Sequence, residues 1–354
     1  MREAEICTWL GDKKGAISFT VDDGWPGCRE EMARAGFRGT YYWFGPAWRT
    51  TTQWLKVLVE EGHEIGAHST THLCLPSPHN ETPQAFWKDR PEEGAVEAYR
   101  RDEIDPNVSV IEQETGEPVL SMAWPCGCTD PSRMKAAEPY FLGVRGYYDE
   151  VANLRWIDDV NTATPHAFLN LNASVRFDPS FVHRAAAEGK WAIITTHEST
   201  GAEGIDYIGD HLDELWAAPV GEVLKYIKVR DAARILGFRR RSGSISFTIR
   251  HDLPVFARST LNGRALLPVV YDNPVTIKVY LRDDERVSRV TAGVTARIDK
   301  EDGDTGYGPG GGQTAGRATD IPFRAGAGYI TFETPAKPAR RIRVVTQSPD
   351  NRVR

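Results

Sequence analysis

Ala16-Ile17-Ser18-Phe19-Thr20-Val21-Asp22-Asp23-Gly24 is the stretch on which the reading of the fold turns. Its β-branched and aromatic residues suit a buried, pleated strand. Two carboxylates and a glycine then end it abruptly. Adjacent carboxylates at the end of a buried strand are costly unless they are paired or bound to a metal. Their side chains diverge, so one can act as a ligand while the other stays free as a base. Gly24 permits a tight turn and close approach of a substrate. The bland alternative is an exposed, helix-capping Asp pair.

Working outward, the same texture recurs from about Ile17 to Leu236. Residues 39–44 and 64–68 read as further strands, each preceded by a helical stretch that closes at a glycine, Gly36 or Gly62. A long charged helix is expected over 92–114, and buried strands over 119–124 and 191–196. Strand-helix alternation of this kind indicates an α/β fold with a parallel sheet or barrel. Asp22, His68, Pro125 and His197 all fall just after strands, the end that carries the active site in α/β barrels. Beyond Arg239-Arg240-Arg241 the texture changes to short strands over 244–250, 266–271, 275–281, 329–332 and 341–345. These are separated by turns such as Asn262-Gly263, a pattern that predicts a small all-β sandwich. The expected organisation is therefore a barrel over residues 1–240 and a β domain over 242–354. The segment 301–312, acidic and then glycine-rich, reads as a surface loop, with calcium binding as the rarer alternative.

Composition narrows the classes. With 354 residues, 40% of them hydrophobic, the chain has material for two packed domains. Its net charge of −6 offers no basic stripe, so nucleic acid is set aside as a partner. No apolar run approaches a membrane span. The first residues lack the apolar core of a signal peptide, which points to the cytoplasm, or to secretion if a leader was trimmed. Five cysteines leave at least one unpaired, and Cys126-Gly127-Cys128 has no second pair at zinc-site spacing.

His68-Ser69-Thr70-Thr71-His72 carries two imidazoles four residues apart, which on one helical turn would reach a single metal. The helical zincin motif also needs Glu directly after the first His; Ser69 stands there, so a zincin is disfavoured. Asp22-Asp23 can supply the missing acid. Two His and one carboxylate leave coordination positions open, as a catalytic rather than a structural metal site requires. His197, after Ile193-Ile194-Thr195-Thr196, gains interest because the other candidates also follow strands.

Together these residues resemble the polysaccharide deacetylases of carbohydrate esterase family four, the NodB-homology domain, over roughly residues 15–235. Residues 18–24 look like the first motif of that family, 62–72 the second, Trp124-Pro125-Cys126-Gly127 the third and 193–197 the fifth. The resemblance implies a distorted (β/α)7-type barrel with one divalent metal ion, most often Zn2+, on Asp23, His68 and His72. Asp22 would then be the general base, His197 the acid that protonates the leaving group, and the Cys126 backbone N–H a donor to the oxyanion. Trp25, Trp124 and Pro125 are expected to line the substrate, and His63 to be structural.

Two positions depart from the family pattern. Ala123 stands where an Arg usually pairs with the base, so the Asp22 pKa should be less depressed. The Asp that orients the acid His is not evident, with Asp158 and Asp159 as candidates. The implied activity is removal of acetyl groups from an acetylated oligo- or polysaccharide, foremost an N-acetyl group. An O-acetyl esterase, a hydrolase of non-sugar amides and a carbohydrate-binding protein without catalysis are the alternatives. No Trp follows Trp216, so the C-terminal domain is expected to serve structure or homo-oligomerisation rather than sugar stacking.

Overall fold

The computed structural model describes residues 3–24, 26–45, 53–74, 92–147, 159–197, 203–294, 318–337 and 339–347. They form two compact units. One comprises residues 13–227 and 255–270; the other comprises 1–12, 228–254 and 271–354. The division is thus not the contiguous 1–240 and 242–354 expected from texture.

The first unit is a barrel of parallel strands. We label them β1 (Gly15–Val21), β2 (Thr40–Trp43), β3 (Glu64–Ala67), β4 (Ser121–Ala123), β5 (Gly143–Gly146), β6 (Leu171–Asn172), β7 (Trp191–Thr196) and β8 (Leu215–Ala217). Their order is β6-β5-β4-β3-β2-β1-β7, with β8 on the early residues of β1. Just past β6, Ser174 donates its N–H to the Ile193 carbonyl and accepts from the Thr195 N–H, at 2.9 and 2.8 Å. Those two bonds nearly close the ring. Every residue of β1 is buried, which explains its continuous apolar reading: the strand is covered on both faces. Phe19, Val21, Tyr41, Ile65, Met122, Val144 and Ile194 belong to one core.

The long helix expected over 92–114 is interrupted. Glu92–Tyr99 and Asp105–Thr115 are α-helical, and Arg100–Ile104 between them is a π-helical turn. The Asp105 N–H reaches back five residues to the Arg100 carbonyl. Pro106, at the start of the second helix, supplies the cause: it lacks an N–H, and its ring would meet the carbonyl one turn earlier.

Residues 266–271, expected as a strand of the β domain, form no strand; among them only Val269 makes an isolated bridge, with Phe256. Residues 255–270 belong to the barrel unit, and Arg258 anchors them there. Its buried guanidinium donates to the Val119 and Tyr140 carbonyls at 2.8 and 3.0 Å and to Glu112 at 2.6 Å.

The second unit holds two antiparallel sheets, one of four strands and one of five. Strands Ser244–Arg250, Pro274–Tyr280, Tyr329–Pro335 and Arg340–Gln347 lie where alternation placed them. Arg234–Arg241 and Arg286–Val294 are additional strands, rich in arginine on their open faces. Ser244–Arg250 alternates half-buried and buried residues, and Phe247 meets Phe332 of the other sheet with ring centroids 6.4 Å apart. That is the packing of two sheets through their apolar faces. The N-terminal strand Ala4–Ile6 pairs with Pro274–Tyr280, which is why residues 1–12 fall in this unit. The segment 301–312 lies outside the described residues. Among the described residues no helix is long and apolar enough to cross a membrane.

Candidate active site

The site stands at the C-terminal ends of β1, β3, β5 and β7. The Asp22 N–H still bonds to the Thr196 carbonyl on β7, at 2.9 Å. The next residue, Asp23, turns into the left-handed region at φ 63°, followed by Gly24 at φ 69°. This turn parts the two carboxylates. Asp22 points into the barrel and is 1% exposed, whereas Asp23 faces His68 and His72. Its Oδ1 is 3.6 Å from His68 Nε2 and 3.4 Å from His72 Nε2.

The two histidines converge, but not from a helix. Ser69 and His72 have φ of 64° and 56°, so residues 68–72 form a loop, and the expectation of one helical turn is corrected. Glu103, buried in the π-helical turn, fixes that loop by accepting from the Thr71 N–H at 2.9 Å and its hydroxyl at 2.6 Å. His68 Nδ1 lies 2.9 Å from the Ala123 carbonyl oxygen. A carbonyl only accepts, so Nδ1 carries the hydrogen and the Nε2 lone pair is left facing Asp23. Burial keeps this imidazole neutral, with a pKa lowered to about 3. His68 Nε2 and Asp23 Oδ1 are buried without a hydrogen-bond partner. One ligand atom from each of Asp23, His68 and His72 lies within 4.8 Å of the others. Buried acceptors with nothing to accept from are the donor set a divalent cation fits.

Asp22 is tied on both oxygens. Arg145, itself fully buried, donates to Oδ1. The Tyr147 hydroxyl donates to Oδ2 at 2.6 Å, and His197 Nε2 is 3.7 Å from that same oxygen. Burial alone would push the Asp22 carboxyl up. The Arg145 guanidinium, with lesser help from His68 and His197, overrides it and holds the group well below the usual carboxylate range. The expectation of a less depressed Asp22 is therefore overturned. Its cause is visible in the register: Arg145 on β5 is paired across the parallel ladder with Ala123 on β4. The guanidinium enters from the neighbouring strand at the same height. It sits between the rings of Tyr42 and Tyr147, 4.9 and 4.8 Å from their centroids, a cation–π sandwich. Gly127 gives Tyr147 its room, since a Cβ there would lie 2.0 Å from the tyrosine ring. Sequence reasoning missed both residues. The available signal was a charged side chain inside Gly143-Val144-Arg145-Gly146, which is otherwise apolar.

Other expected residues fall elsewhere. Trp124 is fully buried and donates its indole N–H to the Leu169 carbonyl at 2.9 Å; it fills the core and offers no face to a sugar. Pro125 is buried beside it. Trp25 and Asp158 lie outside the described residues. Asp159 pairs with Arg184 at the surface. His63 is structural as expected: its Nδ1 accepts the Gly39 N–H at 3.1 Å. Cys126, half-buried and left-handed at φ 56°, is joined to Cys74 by a disulfide spanning 52 residues.

Fold and site together define an α/β-barrel protein with a two-histidine, one-carboxylate pocket at the strand ends. Residues 11–142 match the family model described as polysaccharide deacetylase. Among curated proteins the chain is similar to a gellan lyase from a Bacillus species, 21% identical over 320 residues. That similarity takes in 79% of this chain but only 12% of the relative's length. Among solved structures it is similar to a family-four carbohydrate esterase pseudoenzyme from Bacillus anthracis (16% identity, 60% of this chain and 66% of the other, TM-score 0.39). It is also similar to a peptidoglycan deacetylase from Bacillus subtilis (16% identity, 60% and 91%, TM-score 0.35).

Proposed function

We propose that this protein is a metal-dependent deacetylase that hydrolyses acetyl groups on a carbohydrate, in the first place the N-acetyl group of an amino sugar in an oligo- or polysaccharide. The observation that carries the reading is the juxtaposition at one barrel rim of an open Asp23–His68–His72 trio and the Asp22–His197 pair. One divalent ion, Zn2+ by its fit to two imidazoles and a carboxylate, would be held by the trio. When bound, it supplies polarisation of the acyl carbonyl and acidifies water at the site.

The chain's own residues divide the remaining work. Asp22 accepts a proton from the attacking water. Arg145 and Tyr147 fix its two oxygens and keep it ionised, so it is ready at any pH near neutrality, though a weaker base than a free carboxylate. The Cys126 N–H donates to the oxyanion that develops on the acetyl carbon's oxygen. His197, half exposed and next to Asp22, hands a proton to the departing nitrogen. An amide needs that proton because an amide anion leaves poorly, whereas an alkoxide can leave an ester with less help. The requirement for His197 therefore separates N- from O-deacetylation.

The test is acetate release from acetylated chitooligosaccharides and acetylated xylan, with zinc added and then withdrawn by a chelator. Release that needs the metal and disappears in Asp22→Asn is expected, with the chitooligosaccharide preferred. No release from either polymer by protein that binds zinc would defeat this reading and favour a carbohydrate-binding role.

A further inference from the structure

His72 differs from the other two members of the trio. Asp23 and His68 directly follow buried strands, while His72 lies in a loop and its side chain is 27% exposed. Before it, Glu103 holds Thr71. After it, two residues on, comes Cys74, buried and bonded to Cys126. His72 Nδ1 is 3.7 Å from Cys74 Sγ. A disulfide sulfur has no hydrogen and can only accept. Nδ1 must then carry the hydrogen, which leaves the Nε2 lone pair turned toward Asp23 and the metal position. A thiol at the same place can instead donate to Nδ1, favouring the tautomer whose Nε2 is protonated and unable to ligate. The bridge also ties the loop of His72 to the loop whose Cys126 N–H faces the reacting carbonyl in the proposed reaction.

We propose that the Cys74–Cys126 disulfide is a redox-controlled positioning element that sets the tautomer and place of His72 and so switches metal affinity. The inference rests on the metal reading above. The switching step is thiol–disulfide exchange with a dithiol. Its two thiols give two electrons and two protons, the bond between Cys74 and Cys126 becomes two S–H groups, and the dithiol leaves as its own disulfide. Cys126 is half-buried and Cys74 buried, so Cys126 is the less covered end of the bridge. Cys128, whose thiol donates to the Cys126 carbonyl at 3.4 Å, is free and buried; it serves as the control position.

The experiment titrates the full chain with zinc against a chromophoric chelator in three states: as oxidised protein, after dithiothreitol and anaerobic desalting, and after reoxidation. Oxidised protein is expected to bind one ion. Reduction should weaken binding roughly 10- to 100-fold, the range for loss of a group that orients a metal-bound histidine, and reoxidation should restore it. Cys74→Ser/Cys126→Ser, whose hydroxyl at position 74 can donate to Nδ1 as the thiol does, should match the reduced protein, and Cys128→Ser the oxidised one. Equal affinity in oxidised and reduced protein would overturn the proposal while leaving the metal reading intact. Tighter binding on reduction, with a thiolate-to-metal absorption band when Co2+ replaces zinc, would also overturn it, because the two thiols and His72 would then be taking the ion. Failure of the oxidised protein to bind any metal would defeat both readings.

Discussion

Arg145→Met removes the guanidinium from Asp22 while keeping an unbranched apolar side chain between Tyr42 and Tyr147. Both partners are buried, at 0% and 1% exposure, so the variant strands a carboxylate in the barrel without its counter-ion. Breaking such a pair costs about 3–5 kcal/mol. At a urea slope of about 2–3 kcal/mol per molar, the midpoint should fall by roughly 1–2.5 M at pH 7. The pH dependence follows from the sign of the shift. In the wild type the folded pKa is depressed, so the contribution of Asp22 is complete above its ordinary pKa of about 3.9 and is lost as pH falls through the folded value. Without Arg145, burial is opposed only by the lesser pull of His68 and His197 and by the Tyr147 hydroxyl, and the folded pKa rises. The variant then keeps most stability at acid pH, where the group is neutral, and loses it as pH rises. The gap between the two proteins should widen from pH 4.5 to pH 7.5. Urea unfolding with metal chelated would measure it, and Asp22→Asn/Arg145→Met should recover most of the loss. A penalty that is small, independent of pH, or unrelieved in the double variant would refute the claim that the pair governs Asp22.

His63 gives a second pH signature. Burial, aided by Arg38, lowers its pKa to about 4, so folded protein holds it neutral; its stabilisation is present above about 6.5 and lost as pH falls toward 4, at up to about 1.4 kcal/mol per pH unit. His63→Gln, which keeps an acceptor for Gly39, should show a shallower fall in urea midpoint over that window, and an unchanged slope would contradict the assignment. Arg258→Met should cost about 3–5 kcal/mol by stranding Glu112; faster proteolysis within residues 255–270 would report release of that segment, and undiminished protection would show that its apolar contacts suffice.

Asp22, Asp23, His68 and His197 were legible because each ends an apolar run, His72 because of its spacing from His68, and the structure brings all five to one rim. What surrounds them was not legible. Strand β5 announces a buried charge, but which strand lies beside it, and at what register, depends on how the ring closes. Position 123 alone therefore suggested a site without its arginine. Five cysteines give no pairing without geometry, so the disulfide beside His72 was equally hidden. Trp124 failed as a sugar platform because burial, not residue type, decides whether an aromatic face is available. Alternation found the strands around 247, 277, 331 and 343. Membership of residues 1–12 and 255–270 rests on partners more than a hundred residues away and left no local trace.

The N-terminal strand carries a consequence for biosynthesis. Ala4 pairs with Val279, and Ile6 with Ile277. At about 5–20 residues per second, roughly 14–55 s separate the emergence of Ala4 from that of its partner. Most of the barrel sequence leaves the ribosome in that interval. During synthesis the sheet that receives Ala4–Ile6 therefore cannot finish until the barrel strands have all been made.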